Sequence, residues 1–150
     1  FQWDATARTA PFMAGKNCGT NEADANLADQ ESDPESLYNH YRNMIQLRND
    51  HPALQVGAFD MVDSTSNAVY SFIRRTPEET LLVLLNLSDE TVSDYQLNLA
   101  SGSLSDTVSA NMLLGEGEAA APTLNSDGGF DEYVPVAELA PYSTSVIQLE

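Results

Sequence analysis

Two histidines, one cysteine and a surplus of carboxylates are the groups with which this chain of 150 residues could do chemistry. A lone histidine acts as a general base only where a partner orients it, and is otherwise a packed or capping group. His40 lies in a segment of helical pattern and His51 directly precedes Pro52, so both are read as structural. No Gly-x-Ser-x-Gly elbow nominates a nucleophilic serine. Cleavage of a glycoside needs only two carboxylates at a defined separation. With 23 Asp and Glu in the chain, however, pairs occur everywhere and a solvated surface accounts for them. In NSDGGFDEY, Asp127, Asp131 and Glu132 surround two glycines as a loose calcium site would, but without EF-hand spacing, and a hairpin or loop turn is the plainer reading. Cys18 stands alone, which excludes an intrachain disulfide and a cysteine-based zinc site. No glycine loop is built to cradle phosphate. The expectation is therefore a chain with no catalytic, cofactor-binding or metal-binding residues of its own.

The balance of charge narrows the partners. Against those 23 acids stand 6 Lys and Arg, a net charge of −17, with Lys16 the only lysine. Such a surface repels phosphate backbones and anionic lipid, so neither nucleic acid nor a membrane is expected as a partner. The acidity leans toward an exported or salt-adapted protein and leaves the compartment open. At this length a folded chain buries about two-thirds of the surface its unfolded form exposes. No apolar run approaches the ~20 residues that cross a bilayer. The first residues, FQWDATARTAPF, set Phe1, Trp3 and Phe12 where chains usually fray in polar segments. That is the pattern of a segment cut from something longer, with any leader lying ahead of Phe1.

Two textures meet near residue 55. Residues 1–31 carry no sustained period and read as a long loop. SDPESLYNHYRNMIQLRNDHP then predicts a helix over 33–49. Asp33 with Pro34 at the first helical position, or Ser32 with Glu35 as a capping box, would start it, and Pro52 would stop it. Leu37, Tyr38, Tyr41, Met44 and Ile45 fall within an arc of about 120° on such a helix. Beyond residue 55 the period is 2, and AFDMV, AVYSFIR, TLLVLLNLS, TVSDYQLNL, DTVSANMLL, EYVPV and STSVIQLE are seven strand candidates separated by turns. They predict a mainly β, antiparallel sandwich or barrel. TLLVLLNL does not alternate: Leu81, Val83 and Leu85 point one way, Leu82 and Leu84 the other, so both faces want cover. The helix over 33–49, or a neighbouring domain, is expected to supply it. Truncating Tyr41 to alanine would then cost ~3 kcal/mol, as other core truncations do.

Sugar-binding surfaces present aromatic platforms. Trp3 lies in the first segment, Tyr38 and Tyr41 belong to the helical arc, and Tyr70 and Tyr95 fit core faces. Tyr133 and Tyr142 are left, too few for a platform.

FQWDATA, DPESLYNHYRNMIQLRNDHPAL, GAFDMV, AVYSFIRR, LLVLLNLS and LAPYSTSVIQL, in this order, resemble the C-terminal stretch of the α-amylase superfamily, glycoside hydrolase family 13. Within it the chain is most similar to the α-glucosidase and oligo-1,6-glucosidase branch. That branch carries Met-Gln-Trp-Asp after the last barrel strand, matched by residues 1–4 with Phe1 in place of Met. Its LxxHYRxxIxLRxxHPAL helix matches 37–54, and its closing LxPYSxxVxxL matches 139–149. The chain departs at GKNCGTNEADAN, where the branch continues Gly-Lys-Pro-Trp, and no linkage preference is carried over from that loop.

The resemblance implies that residues 1–54 are the remnant of a (β/α)8 barrel, a loop plus its final helix at 33–49. Residues 55–150 would be a C-terminal antiparallel Greek-key β-sandwich. In such enzymes the nucleophilic aspartate, the acid/base glutamate and a second aspartate sit on earlier barrel strands, outside this chain. Barrel sites lie among the βα loops, so 1–31 would border the sugar site. The expected function is that of a non-catalytic C-terminal domain of an α-glucosidic hydrolase in starch or oligosaccharide metabolism. It would stabilise and cover the catalytic barrel, which is its expected partner. A homodimer through an exposed helix or sheet face, an independent carbohydrate-binding module and a small enzyme with an unrecognised carboxylate pair are the competing readings.

Overall fold

The computed structural model describes residues 26–104 and 108–150. The expectations placed on Phe1, Trp3, Phe12, Lys16 and Cys18, and on the loop before residue 26, lie outside the described residues. The chain divides into two compact units, Phe1–Leu47 and Arg48–Glu150.

Where the sequence reads as loop, a short helix, α1 (Leu27–Ser32), precedes the main helix α2 (Leu37–Asp50). Asn26 caps α1, its Oδ1 accepting from Asp29 N at 3.0 Å. α2 begins four residues later than expected, because Asp33 ends α1 and folds the link as a turn, accepting from Glu35 N. Ser36 is the residue that caps α2, its Oγ accepting from Asn39 N at 3.2 Å, while Gln30 Oε1 accepts from Tyr38 N. The two helices cap each other. Asn39 Nδ2 returns to the carbonyls of Gln30, Glu31 and Asp33, and Ser36 Oγ donates to Gln30 O, so the last carbonyls of α1 find donors on the first turn of α2. Leu37, Tyr41 and Ile45 of α2 are 66%, 61% and 59% exposed in the single chain, so the large cost assigned to truncating Tyr41 requires a covering surface from outside it.

In the second unit α3 (Pro52–Val56) leads into seven strands: β1 (Ala58–Ser64), β2 (Val69–Arg75), β3 (Thr80–Asn86), β4 (Leu97–Leu99), β5 (Ala110–Leu114), β6 (Phe130–Tyr133) and β7 (Thr144–Leu149). Pro52 does end α2, but it also opens α3, since proline suits the first helical position where no N–H is needed. Each of the seven strand candidates contains or overlaps a strand, EYVPV only at Glu132 and Tyr133 because β6 starts at Phe130, and the pairing is antiparallel throughout, in the order β5-β7-β3-β2-β1-β4-β6. β1 belongs to both arms of this curled sheet: it pairs with β2 along most of its length and with β4 at Asp63 and Ser64. The last strand in sequence, β7, lies between β3 and β5.

The core forms between the arms. Val62, Val69, Ile73, Leu82, Leu84, Ile147 and Leu149 from the larger arm meet Tyr95, Leu97, Phe130 and Tyr133 from the smaller one. Tyr95 Oη donates to Val136 O at 2.6 Å, and Tyr133 Oη donates to Ala120 O. Burial raises both phenol pKa values above the ordinary one; Tyr133 is raised further by the charge of Tyr95, whereas the bond to Val136 partly offsets the rise at Tyr95. Asn86, at the end of β3, is buried with its amide spent. Nδ2 donates to the carbonyls of Glu90, Leu139 and Ala140, and Oδ1 accepts from Ser88.

Candidate functional site

The residues singled out for chemistry do not converge. His40 stands exposed on α2, its ring edge-on to Tyr41. His51 is tied into the start of α3 by Glu79, whose Oε1 lies 2.6 Å from its Nδ1. In NSDGGFDEY the first five residues are the turn the sequence predicts, and FDEY is β6. Asn125 Oδ1 accepts from Asp127 N and Gly129 N, and its Nδ2 donates to Leu99 O, Ala100 O and Asp131 Oδ2. A Cβ on Gly129 would sit 1.9 Å from Leu99 O, so glycine is required for that approach. Glu132 turns outward at a positive φ of 51°. Among the described residues, no three of His, Cys, Asp and Glu are placed to hold a metal ion.

The structure brings together a different set, on the outward face of β1, β2 and β3. Period 2 sends Val69, Ser71 and Ile73 of β2 inward and Tyr70, Phe72 and Arg74 outward. Tyr70 is therefore not a core residue as expected, and Tyr133, expected at the surface, is buried; Tyr95 and Tyr142 lie where the sequence puts them. Tyr70 turns outward because Ser71 is satisfied inside, its Oγ donating to Val62 O at 2.9 Å. Across the pairing register Phe72 lies beside Met61 and Val83, and Tyr70 beside Leu85. Phe59 and Phe72 stack with centroids 5.1 Å apart and planes at 30°, and Tyr70 tilts onto Phe72 at 5.7 Å. This gives three rings in a row on two strands. Phe59, Met61 and Tyr70 remain 49%, 52% and 39% exposed, while Leu81 and Val83 on the same face are buried. The helix that packs against β2 and β3 is α3, with Ala53 wholly buried. Both faces of β3 are covered at Leu81 to Leu84, as its unbroken apolar run requires, but α3 supplies the cover at one end and leaves the aromatic row open to water.

At the mouth between the arms, a polar cleft of about 230 Å³ is lined by Asp60, Arg75, Thr80 and Ser103 among others. Arg75 Nε donates to Asp60 Oδ2 at 2.6 Å and its Nη1 to Ser103 Oγ at 3.2 Å, an arrangement that ties β1 and β2 to the segment after β4.

Residues 59–150 match the model of the family described as alpha amylase, C-terminal all-beta domain. The chain belongs to this family. The amylase-type C-terminal domain so identified spans β1 to the last residue, including the aromatic row and the whole core. An oligo-1,6-glucosidase of Parageobacillus thermoglucosidasius is 30% identical over 93 residues, which is 60% of this chain and 16% of that protein. A second oligo-1,6-glucosidase, from Heyndrickxia coagulans, is 29% identical over 117 residues, 71% of this chain and 20% of that one. Among solved structures, a trehalulose synthase from Pseudomonas mesoacidophila MX-45 superposes with a TM-score of 0.62 at 28% identity, over 100% of this chain and 25% of its own. An α-amylase from H. orenii shares the fold at a TM-score of 0.63 and 24% identity, over 100% of this chain and 28% of its own. The chain thus spans about a fifth of the length of the curated relatives it matches.

Proposed function

We propose that this chain is the non-catalytic C-terminal part of an α-glucosidic hydrolase, and that its work is to cover and stabilise the catalytic barrel of that enzyme. The observation that carries the reading is the ring row on β1 and β2, with Phe59, Met61 and Tyr70 exposed around the half-buried Phe72, on a sheet face whose neighbouring Leu81 and Val83 are already dry. A contiguous apolar patch of this kind marks an interface. Fully burying one large side chain contributes about 1.5–3 kcal/mol, and covering the part of this row still in water contributes a share of that for each. The same family membership supports the absence of a catalytic pair from this segment, with residues 1–54 as the end of the barrel.

The test is made on the polypeptide encoded by the whole open reading frame. Met61→Lys with Tyr70→Lys should lower the melting temperature of the catalytic body, while the segment 1–150 alone changes by only about 0.5 kcal/mol or so, as surface substitutions do. An unchanged melting temperature in the whole protein would remove the interface. The segment alone should turn over neither a nitrophenyl α-glucoside nor maltotriose; turnover abolished by substituting one of its own carboxylates would overturn the non-catalytic reading.

The exposed rings also favour a second reading, an independent carbohydrate-binding module, because stacked aromatics are platforms for sugar rings. Calorimetric binding of maltoheptaose to the segment, lost in the Met61/Tyr70 variant, would select that reading over the first.

A further inference from the structure

Just ahead of β3, Glu79 spends both carboxylate oxygens on a segment far upstream. Oε1 lies 2.6 Å from His51 Nδ1, and Oε2 accepts from Ala53 N at 3.0 Å. The two side chains are only 18% and 11% exposed. Ala53 N belongs to the first turn of α3, where N–H groups have no partner within the helix, and His51 at the N-cap makes no side-chain cap. Glu79 therefore caps α3 from another element. The other end of the turn is held as well: Ala53 O accepts from Arg74 Nε at 3.2 Å and from Gly57 N at 3.1 Å. Arg48 donates to Leu54 O, and Gln55 Nε2 to Asn49 O at 3.1 Å, joining α3 to the last turn of α2. A Cβ on Gly57 would meet Ala53 O at 2.5 Å and Arg75 O at 2.9 Å, so the chain passes there only as glycine.

A largely buried imidazole–carboxylate contact adds little to stability compared with an apolar contact of the same size. Two acceptors converging on one corner instead fix its angle. We propose that Glu79 is a positioning residue whose carboxylate locks the corner of residues 48–57 onto the ends of β2 and β3. The purpose of the coupling rests on the reading above, in which this corner joins the last barrel helix to the C-terminal domain; the lock itself does not depend on it.

Amide hydrogen exchange on the chain of 150 residues tests the lock. Glu79→Ala should speed exchange at Ala53, Leu54 and Gly57 by about tenfold or more, since bonds to a charged acceptor are lost, and leave the amides of β3 and β7 unchanged. Glu79→Gln, which keeps an acceptor for Ala53 N, should restore most of the protection. Glu79→Asp, too short to reach both partners, gives a milder acceleration at the same amides and serves if the alanine variant does not fold. Unchanged exchange at the corner would overturn the proposal, and so would acceleration spread equally over β3 and β7, which would make Glu79 a general fold residue. If the whole open reading frame encodes no barrel while the corner responds as stated, the coupling stands and the barrel reading falls. The reverse result separates them the other way.

Discussion

Tyr133 and Tyr95 hold their phenols inside the sheet, with raised pKa values caused first by burial. In the unfolded chain a tyrosine loses its proton near pH 10. Above that pH the folded state keeps protons that the unfolded state has given up, so stability falls as pH rises, and the full contribution is present below it. Thermal melts from pH 8 to 11.5 should show a plateau followed by an alkaline decline. Tyr133→Phe should make that decline shallower, at a cost of about 1 kcal/mol at neutral pH for the lost bond to Ala120 O. An alkaline limb identical to that of the parent chain would mean the buried phenol is not its cause. Single residues were the least legible scale in the sequence. Tyr70 reads as a core residue in the sequence, and its outward turn goes with the bond from Ser71 to Val62 O, made across two strands, which no local pattern announces. Glu79 is one of 23 acids, and nothing in its neighbourhood announces partners that sit 26 and 28 residues away.

Elements were far more legible, because periodicity survives ignorance of partners. Every strand overlaps a segment that alternation and turn residues mark out, although β6 begins two residues ahead of EYVPV and shares only Glu132 and Tyr133 with it, and the unbroken apolar run of β3 correctly requires cover on both faces. The helices show where this reasoning ends. Ser32, Asp33 and Ser36 are all plausible caps, and choosing Ser36 depends on α1, whose six residues are too short for a period to show. α1 also depends on α2 for its last carbonyls, which gives a test. Asn39→Ala removes the amide that serves Gln30, Glu31 and Asp33, and should cost about 1 kcal/mol, with loss of far-ultraviolet helical signal from roughly one short helix. Asn39→Asp keeps the shape but cannot donate, so it should behave like the alanine variant; helicity retained by aspartate would show that the donor is not what holds α1.

The whole chain carries −17 with few cations to offset it, and three of the four described cations are spent locally. Arg75 pairs with Asp60, whereas Arg74 and Arg48 give hydrogen bonds to the carbonyls of Ala53 and Leu54 rather than to carboxylates. Most of the negative charge is therefore balanced only by solvent ions. Like charges held on a compact surface repel one another more than in an expanded chain, so folding works against this field. Salt shortens its range, from a screening length of about 30 Å at 0.01 M to about 8 Å at 0.15 M. The melting temperature should accordingly rise with NaCl, with most of the gain below 0.15 M, where the screening length falls to the spacing between surface charges. A rise that begins only at molar salt would have another cause, since excluded salts strengthen apolar burial at high concentration. Sucrose separates the two, because it favours burial without screening charge. If NaCl at 0.01–0.15 M leaves the melting temperature flat or lowers it, the acidic surface is not a burden on the fold, and the charge must be neutralised by contacts within the molecule.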